Sequence, residues 1–213
     1  SRGIGFATTE KFLSNGWQVV VLTRAIDKLE PLIEEYPDQL HICKLDLMQL
    51  DEVQLPNLPV DVLINNAGAL VNKRLSQVTI DDLHKSYGVN VFGPYLLIQK
   101  LLPQFAEKAH IVNISSVGGL QGSVKFAGLS AYSSAKGAMN VLTECLQAEF
   151  EQETQWSFNA LALGAVQTEM LQEAFPGLQA PLEPEQLSPF IFMFATTAHL
   201  VMRGKVLPVS MST

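Results

Sequence analysis

What the chain lacks narrows the reading first. It has only two cysteines, Cys43 and Cys145, among 213 residues. Both fall in apolar, patterned segments and not in a paired framework, which argues against a disulfide-stapled scaffold and leads us to expect two buried thiols in a reducing cytoplasmic setting. Charged residues make up 16% of the chain, the formal net charge is −7, and no lysine or arginine cluster interrupts it. The electrostatic footprint of a nucleic-acid or anionic-membrane binder is missing. The histidines His41, His84, His110 and His199 are scattered, without the spaced pair and carboxylate of a zinc enzyme, so no metal is expected. No apolar run reaches bilayer length. Even FIFMFATTAHLVM at 190–202 is broken by threonines and His199 and reads as a core helix. Ser1 follows neither a methionine nor a signal-peptide pattern, and no strand stands ahead of the first glycines, so a missing upstream segment is expected.

What remains is an ordinary globular composition, 47% hydrophobic, long enough for one sizeable core and one domain. SRGIG at 1–5 reads as a turn entering a helix that stops at Asn15-Gly16. WQVVVLTR (17–24) is a short, nearly continuous apolar run, the pattern of a parallel strand covered on both faces. Asp27 opens a helix to Tyr36 in which Pro31 forfeits one early bond, and extended runs follow at 39–46 and 60–68. A helical region is predicted over 79–107, then a strand over 110–115, a helix over 130–153, a strand over 156–163, a loop over 164–184, a helix over 185–200 and a strand over 205–210. Strands alternating with helical patterns predict an α/β fold: a doubly wound parallel sheet in a three-layer αβα sandwich. The Gly/Pro-rich loop at 164–184 is long for a connection, either a lid over a site or a plain surface excursion.

Chemistry concentrates in YSSAK at 132–136. Tyr132 and Lys136 lie one helical turn apart and share a face, and an ammonium beside a phenol is expected to lower the phenol's pKa towards neutrality. In a parallel sheet, ligands bind beyond the carboxyl ends of the strands, where NNAG (65–68) and Ser115-Ser116 fall. Gly3 and Gly5 would let backbone approach a pyrophosphate at a helix N-terminus, although two glycines alone also make an unliganded turn.

Taken together, SRGIG, NNAG, VNVFG (89–93), IVNISS (111–116) and YSSAK, in this order, resemble the short-chain dehydrogenase/reductase family, classical type, and 3-oxoacyl reductase-like members in particular. The resemblance implies a Rossmann-like fold that transfers a hydride between a nicotinamide dinucleotide and a carbonyl or secondary alcohol. Carried over residue by residue, it makes Asn90, Ser116, Tyr132 and Lys136 catalytic, with Ser115 as the alternative serine. It assigns the cofactor to Ser1, Arg2, Gly3, Ile4 and Gly5, to Asp46-Leu47, to Asn66, Ala67 and Gly68, to Tyr132 and Lys136, and to Gly164, Val166 and Thr168. The family's first glycine and first strand would stand ahead of Ser1, and Leu163 replaces a proline of its pattern. Thr23-Arg24 stands where an acid would bind the ribose of NAD, so Arg24 with Arg2 is expected to clasp a 2′-phosphate, favouring NADP(H) over NAD(H). The stretch between Ser116 and Tyr132 is longer than the family pattern, which points to an enlarged loop at 120–130. Apolar residues such as Leu120, Phe126 and Leu129 suit a hydrophobic substrate. A homodimer or homotetramer is expected, with FIFMF (190–194) serving either an interface or the core. The competing class is a dinucleotide-binding sensor that keeps the pocket without turnover.

Overall fold

A computed structural model describes residues 1–52 and 54–211. Among these residues, seven helices and six strands follow one another: α1 (Gly3–Leu13), β1 (Val19–Thr23), α2 (Glu30–Glu35), β2 (Leu40–Lys44), β3 (Val60–Asn65), α3 (Ile80–Tyr87), α4 (Gly93–Leu101), β4 (Phe105–Ser116), α5 (Ser130–Phe150), β5 (Ser157–Leu163), α6 (Glu169–Ala174), α7 (Pro184–Thr197) and β6 (Val206–Val209). Every strand pair is parallel, with Leu63 opposite Ile111, Ile111 opposite Phe158 and Leu161 opposite Leu207.

The alternation of side chains along β4 and β5 builds the layers. Val112, Ile114, Leu161 and Leu163 turn to one face and pack with Phe12 of α1 and Ile191 and Phe194 of α7. Ala109, Ile111 and Phe158 turn to the other, against Ile98 of α4 and Leu146 of α5. β5 is buried along its whole length, which is why its sequence is an almost unbroken apolar run. The result is the three-layer α/β architecture. FIFMF belongs to the core on the α7 side, with Met193 alone of the five exposed.

Several local expectations change. The helical region of 79–107 is divided: a π-helical turn spans Gly88–Phe92 between α3 and α4, and β4 starts at Phe105, so Glu107 is in a strand. Leu102–Gln104 is a single 3₁₀ turn, with Pro103 inside it, and it leads directly into that strand. Pro31 falls in the first turn of α2, where its missing N–H has no intrahelical partner to lose. The loop at 164–184 contains α6. Neither thiol is fully buried: Cys145 is exposed on the outer side of α5 and Cys43 is half-buried on β2.

The sheet is also divided. β1 and β2 form one pair, β3 to β6 form an ordered four-stranded sheet, and among the described residues β1 and β3 do not pair. Between them runs a slot, lined by Val19 to Thr23 on one side and Val60 to Asn65 on the other, that is one part of a cavity of about 1060 Å³. Thr8 borders it with a buried hydroxyl that has no hydrogen-bond partner among the described residues. Among the same residues no helix is long and apolar enough to cross a membrane.

A buried polar cluster ties β6 to the sheet. His110 Nδ1–H donates to the carbonyl of Ala195 (2.8 Å), and Nε2 accepts from Asn159 Nδ2 (2.9 Å). Asn159 also donates to Met202 O and accepts from the amide of Lys205. Burial pushes the imidazole down to about 4, with His199 adding to the effect. The unfolded chain therefore binds a proton that the folded chain refuses, and stability falls as pH drops from 6.5 towards about 4, by up to about 3 kcal/mol. Urea unfolding between pH 6.5 and 4.5 is expected to show this slope and His110→Gln to flatten it; a wild-type curve already flat there would contradict it.

Candidate active site

The carboxyl ends of β3 and β4 and the first half of α5 meet in one place. Ser116 is the last residue of β4, and Tyr132 and Lys136 lie in the first two turns of α5. How closely the helix crosses the strand end is set by Gly119: a β-carbon there would come 2.6 Å from the carbonyl carbon of Lys136 and 2.7 Å from the amide of Gly137. Backbone lies on backbone, and only glycine permits it.

The crossing separates the two serines. Ser115 Oγ donates to the backbone carbonyl of Lys136 (3.2 Å) and is buried, a structural tie between strand and helix. Ser116 Oγ instead lies on the Tyr132 side of the crossing, near enough to oppose the rise in the phenol's pKa, and accepts from the amide of Gly118 (3.2 Å). Geometry thus favours Ser116, not Ser115, as the serine that faces the tyrosine.

Lys136 is buried, and its Nζ donates to the carbonyl of Ile114 (2.8 Å), 5.8 Å from the Tyr132 ring centre. Burial pulls the ammonium down to about 8. The phenol behaves otherwise than its spacing suggests. Burial raises the Tyr132 pKa, Ser116 opposes that rise, and the expected lowering by Lys136 does not occur. The reason is that the ammonium is directed to a strand carbonyl and not to the phenol oxygen.

Asn90 sits inside the π turn and is buried. Its Nδ2 donates to the carbonyls of Ala69 (2.8 Å) and Ser86 (2.7 Å), and its Oδ1 accepts from the Ala69 amide (3.3 Å). These bonds hold the NNAG turn. A β-carbon on Gly68 would lie 3.3 Å from Asn90 Oδ1 and 3.8 Å from Lys136 Nζ, so Gly68, Asn90 and Lys136 share one corner.

Ten of the expected cofactor residues line one cleft, continuous with the slot between β1 and β3. Ser1, Arg2, Gly5, Thr23, Arg24, Asp46, Leu47, Asn66, Ala67 and Gly68 all border it. Gly3 takes φ +50° where α1 begins, and the helix start has no side-chain cap, leaving first-turn N–H groups for an anion. At Gly5 a β-carbon would come 2.6 Å from Asn66 Nδ2, so the NNAG turn lies directly on the glycine turn. Thr168 caps α6 and touches Gly3. Ile4 and Val166 turn their side chains to the core and offer a ligand only backbone, and Gly164 packs on Ser210 at the end of β6. The two guanidinium groups do not converge. Arg2 pairs with Glu169 (2.9 Å), and Arg24 faces Asp46 at 3.9 Å.

Three participants escape the sequence reading. Lys28 joins Arg2 on Glu169 (2.7 Å). Asn72 donates to the carbonyl of Ala174 (2.7 Å) and so holds the far end of α6. Gly119 sets the helix crossing described above. The Val-Gly-Gly run after Ser116 is the one signal that could have exposed the last of these.

Residues 1–179 match the family model described as short chain dehydrogenase. The chain belongs to the short-chain dehydrogenase family. It is 33% identical over 166 residues to an uncharacterized oxidoreductase of Mycobacterium tuberculosis, covering 70% of this chain and 48% of that protein. The chain thus spans about half the length of that relative. It is 32% identical over 189 residues to the L-2,3-butanediol dehydrogenase of Corynebacterium glutamicum, covering 81% of this chain and 71% of that one. Among solved structures, ElxO with NADP bound superposes with a TM-score of 0.82 at 26% identity, covering 98% of this chain and 93% of that chain. The 3-ketoacyl-(acyl-carrier-protein) reductase of Brucella melitensis complexed with NADH gives 0.82 at 24%, covering 99% and 93%, a likeness of fold.

The buried ammonium generates a test. With its folded pKa near 8 against 10.5 ordinarily, Lys136 costs about 3 kcal/mol at pH 7, relieved as pH rises from about 8 to 10.5. Lys136→Met, similar in length and uncharged, is expected to melt no lower than the parent at pH 7. A loss of more than a few degrees in Tm would show that the ammonium stabilises the fold instead.

Proposed function

We propose that this chain is the catalytic domain of an NADP(H)-dependent oxidoreductase acting on a carbonyl or secondary alcohol. The observation that carries the reading is Ser116 beside Tyr132 where β4 meets α5, with Lys136 buried one turn along and cornered by Asn90 and Gly68. The uncapped start of α1, the close Gly5–Asn66 approach and the open cleft fit a dinucleotide. Bound there, a nicotinamide would supply or accept the hydride.

The chain's own residues handle the oxygen and its proton. In the direction of reduction, Tyr132 gives its phenolic proton to the carbonyl oxygen as the carbon gains hydride, so the product alcohol carries both. Ser116 donates its one hydroxyl hydrogen to the same oxygen, placing a fixed donor where negative charge develops. Once its Nζ leaves the Ile114 carbonyl, Lys136 supplies positive charge to that phenolate and opposes the burial that raises the phenol's pKa. Asn90 keeps the NNAG turn, and with it the corner beside Lys136, in one conformation. The cations Arg2 and Arg24 at the adenosine end support NADP(H) over NAD(H). Exposed Tyr95 and Leu96 on α4, Phe92 just ahead of them and Val141 on α5 support pairing of copies through those helices.

The slot between β1 and β3 supports a further reading of the domain: a parallel strand leading into Ser1 fills it. Such a strand would end beside Thr23, whose hydroxyl already donates to Ser1 Oγ (2.8 Å). Hydrogen exchange tests this. Amides of β1 and β3 that face the slot are expected to exchange quickly in residues 1–213 and to gain protection when a native upstream segment is present; unchanged exchange would count against a strand there.

Turnover tests the chemistry. Tyr132→Phe is expected to lower NADPH-dependent carbonyl reduction at least about a hundredfold with NADPH affinity nearly unchanged, and Ser116→Ala to lose far more activity than Ser115→Ala. Retained turnover in Tyr132→Phe would refute the assignment. NADPH binding with no turnover in the parent chain, over aliphatic, aromatic and 3-oxoacyl carbonyls, would favour a sensor.

A further inference from the structure

Glu169 is the first residue of α6, directly after Thr168. Its two oxygens are engaged by two different cations of the cofactor cleft: Oε2 accepts from Arg2 Nη1 at 2.9 Å and Oε1 from Lys28 Nζ at 2.7 Å. Glu173, one turn along α6, stands 3.8 Å from the same guanidinium. Arg2 comes from the glycine turn, Lys28 from the 3₁₀ turn after β1, and both border the adenosine end of the cleft beside Thr23 and Arg24. The carboxylate belongs to another part of the chain, the strap between β5 and α7. Arg2, Lys28 and Glu169 are each about half exposed, so a solution anion can reach and replace this contact.

A carboxylate that bridges an arginine and a lysine does what a phosphate monoester would do at the same two cations, with less charge and fewer acceptor oxygens. We propose that Glu169 is a cofactor-specificity residue: it acts as an internal counter-ion for Arg2 and Lys28, competes with the 2′-phosphate of NADP(H), and is displaced when that phosphate binds. The inference rests on the NADP(H) reading above. It adds that affinity for the phosphate is held below what Arg2 and Lys28 could give. It also adds that phosphate binding frees the start of α6, whose far end stays tied by Asn72 to Ala174.

The competition can be read without turnover. Calorimetric titration with adenosine 2′,5′-bisphosphate, and with 5′-AMP as the probe lacking the 2′-phosphate, is carried out on the parent chain, Glu169→Gln and Arg2→Gln. Exposed ion pairs are individually weak, so Glu169→Gln is expected to bind the bisphosphate about three- to tenfold more tightly and 5′-AMP unchanged. Arg2→Gln is expected to lose the preference for the bisphosphate. Unchanged or weaker bisphosphate binding in Glu169→Gln, while the parent still prefers the bisphosphate, would overturn the competition and leave the NADP(H) reading standing. An equal gain for both probes would overturn it too, reducing the contact to a general charge effect. A parent chain with no preference between the probes would overturn the NADP(H) reading itself, and the competition with it.

Discussion

The structure turns on one buried charge. Lys136 carries its ammonium to the carboxyl end of the sheet, out of solvent, with the Ile114 carbonyl as its hydrogen-bond acceptor at 2.8 Å. Burial of this kind works against stability, so the groups around it must hold the side chain in place. The neighbourhood is supplied by backbone. Gly119 brings the turn after β4 onto α5, and Gly68 leaves space beside Nζ. Asn90, inside a π turn, holds the turn after β3 with two hydrogen bonds to Ala69 and ties it to α3 with a third to Ser86. Once the helix lies in this position, Tyr132 meets Ser116 and Ser115 is used up as a tie.

The same crossing explains why the site needs the sheet behind it. β3 and β4 are joined by their ladder and by a buried polar chain: Asn65 donates to Asn113, Asn113 donates to Thr143 of α5, and Thr143 donates to the Met139 carbonyl. Apolar side chains alternate to the α1–α7 layer and the α4–α5 layer, while these polar groups satisfy one another inside the second layer. α5 is therefore fixed in rotation as well as position, which is what a spacing of four residues between Tyr132 and Lys136 requires.

Much of this was legible in the sequence because it follows from local pattern. Apolar runs such as that of β5 announce buried parallel strands, and the order of SRGIG, NNAG, VNVFG, IVNISS and YSSAK carries the family. Ser116 and Asn90 came from that order. Their surroundings did not, because tertiary contacts decide them. The pKa expected for Tyr132 assumed that the ammonium would face the phenol, whereas a strand carbonyl distant in sequence takes it. The Arg2–Arg24 clasp assumed two free cations, and Glu169, 167 residues further along, holds one of them. Cys145 followed an apolar pattern yet faces outward, since α5 is amphipathic and its neighbour Leu146 takes the inner side. The break of the helical region by a π turn has no signature beyond Gly88 and Gly93. Charge pairs, backbone approaches and burial of single side chains are properties of the assembled fold.

The central claim is that Ser116, Tyr132 and Lys136 form a proton-delivering site for hydride transfer. The most direct measurement is a single-turnover reaction of the chain with NADPH deuterated at nicotinamide C4 and a carbonyl substrate, followed by mass spectrometry of the product. The account predicts one deuterium on the carbinol carbon, lost from only one face of the nicotinamide, with transfer abolished by Tyr132→Phe. NADPH that binds tightly while its deuterium never reaches any carbonyl, or transfer that proceeds undiminished without the tyrosine, would contradict it.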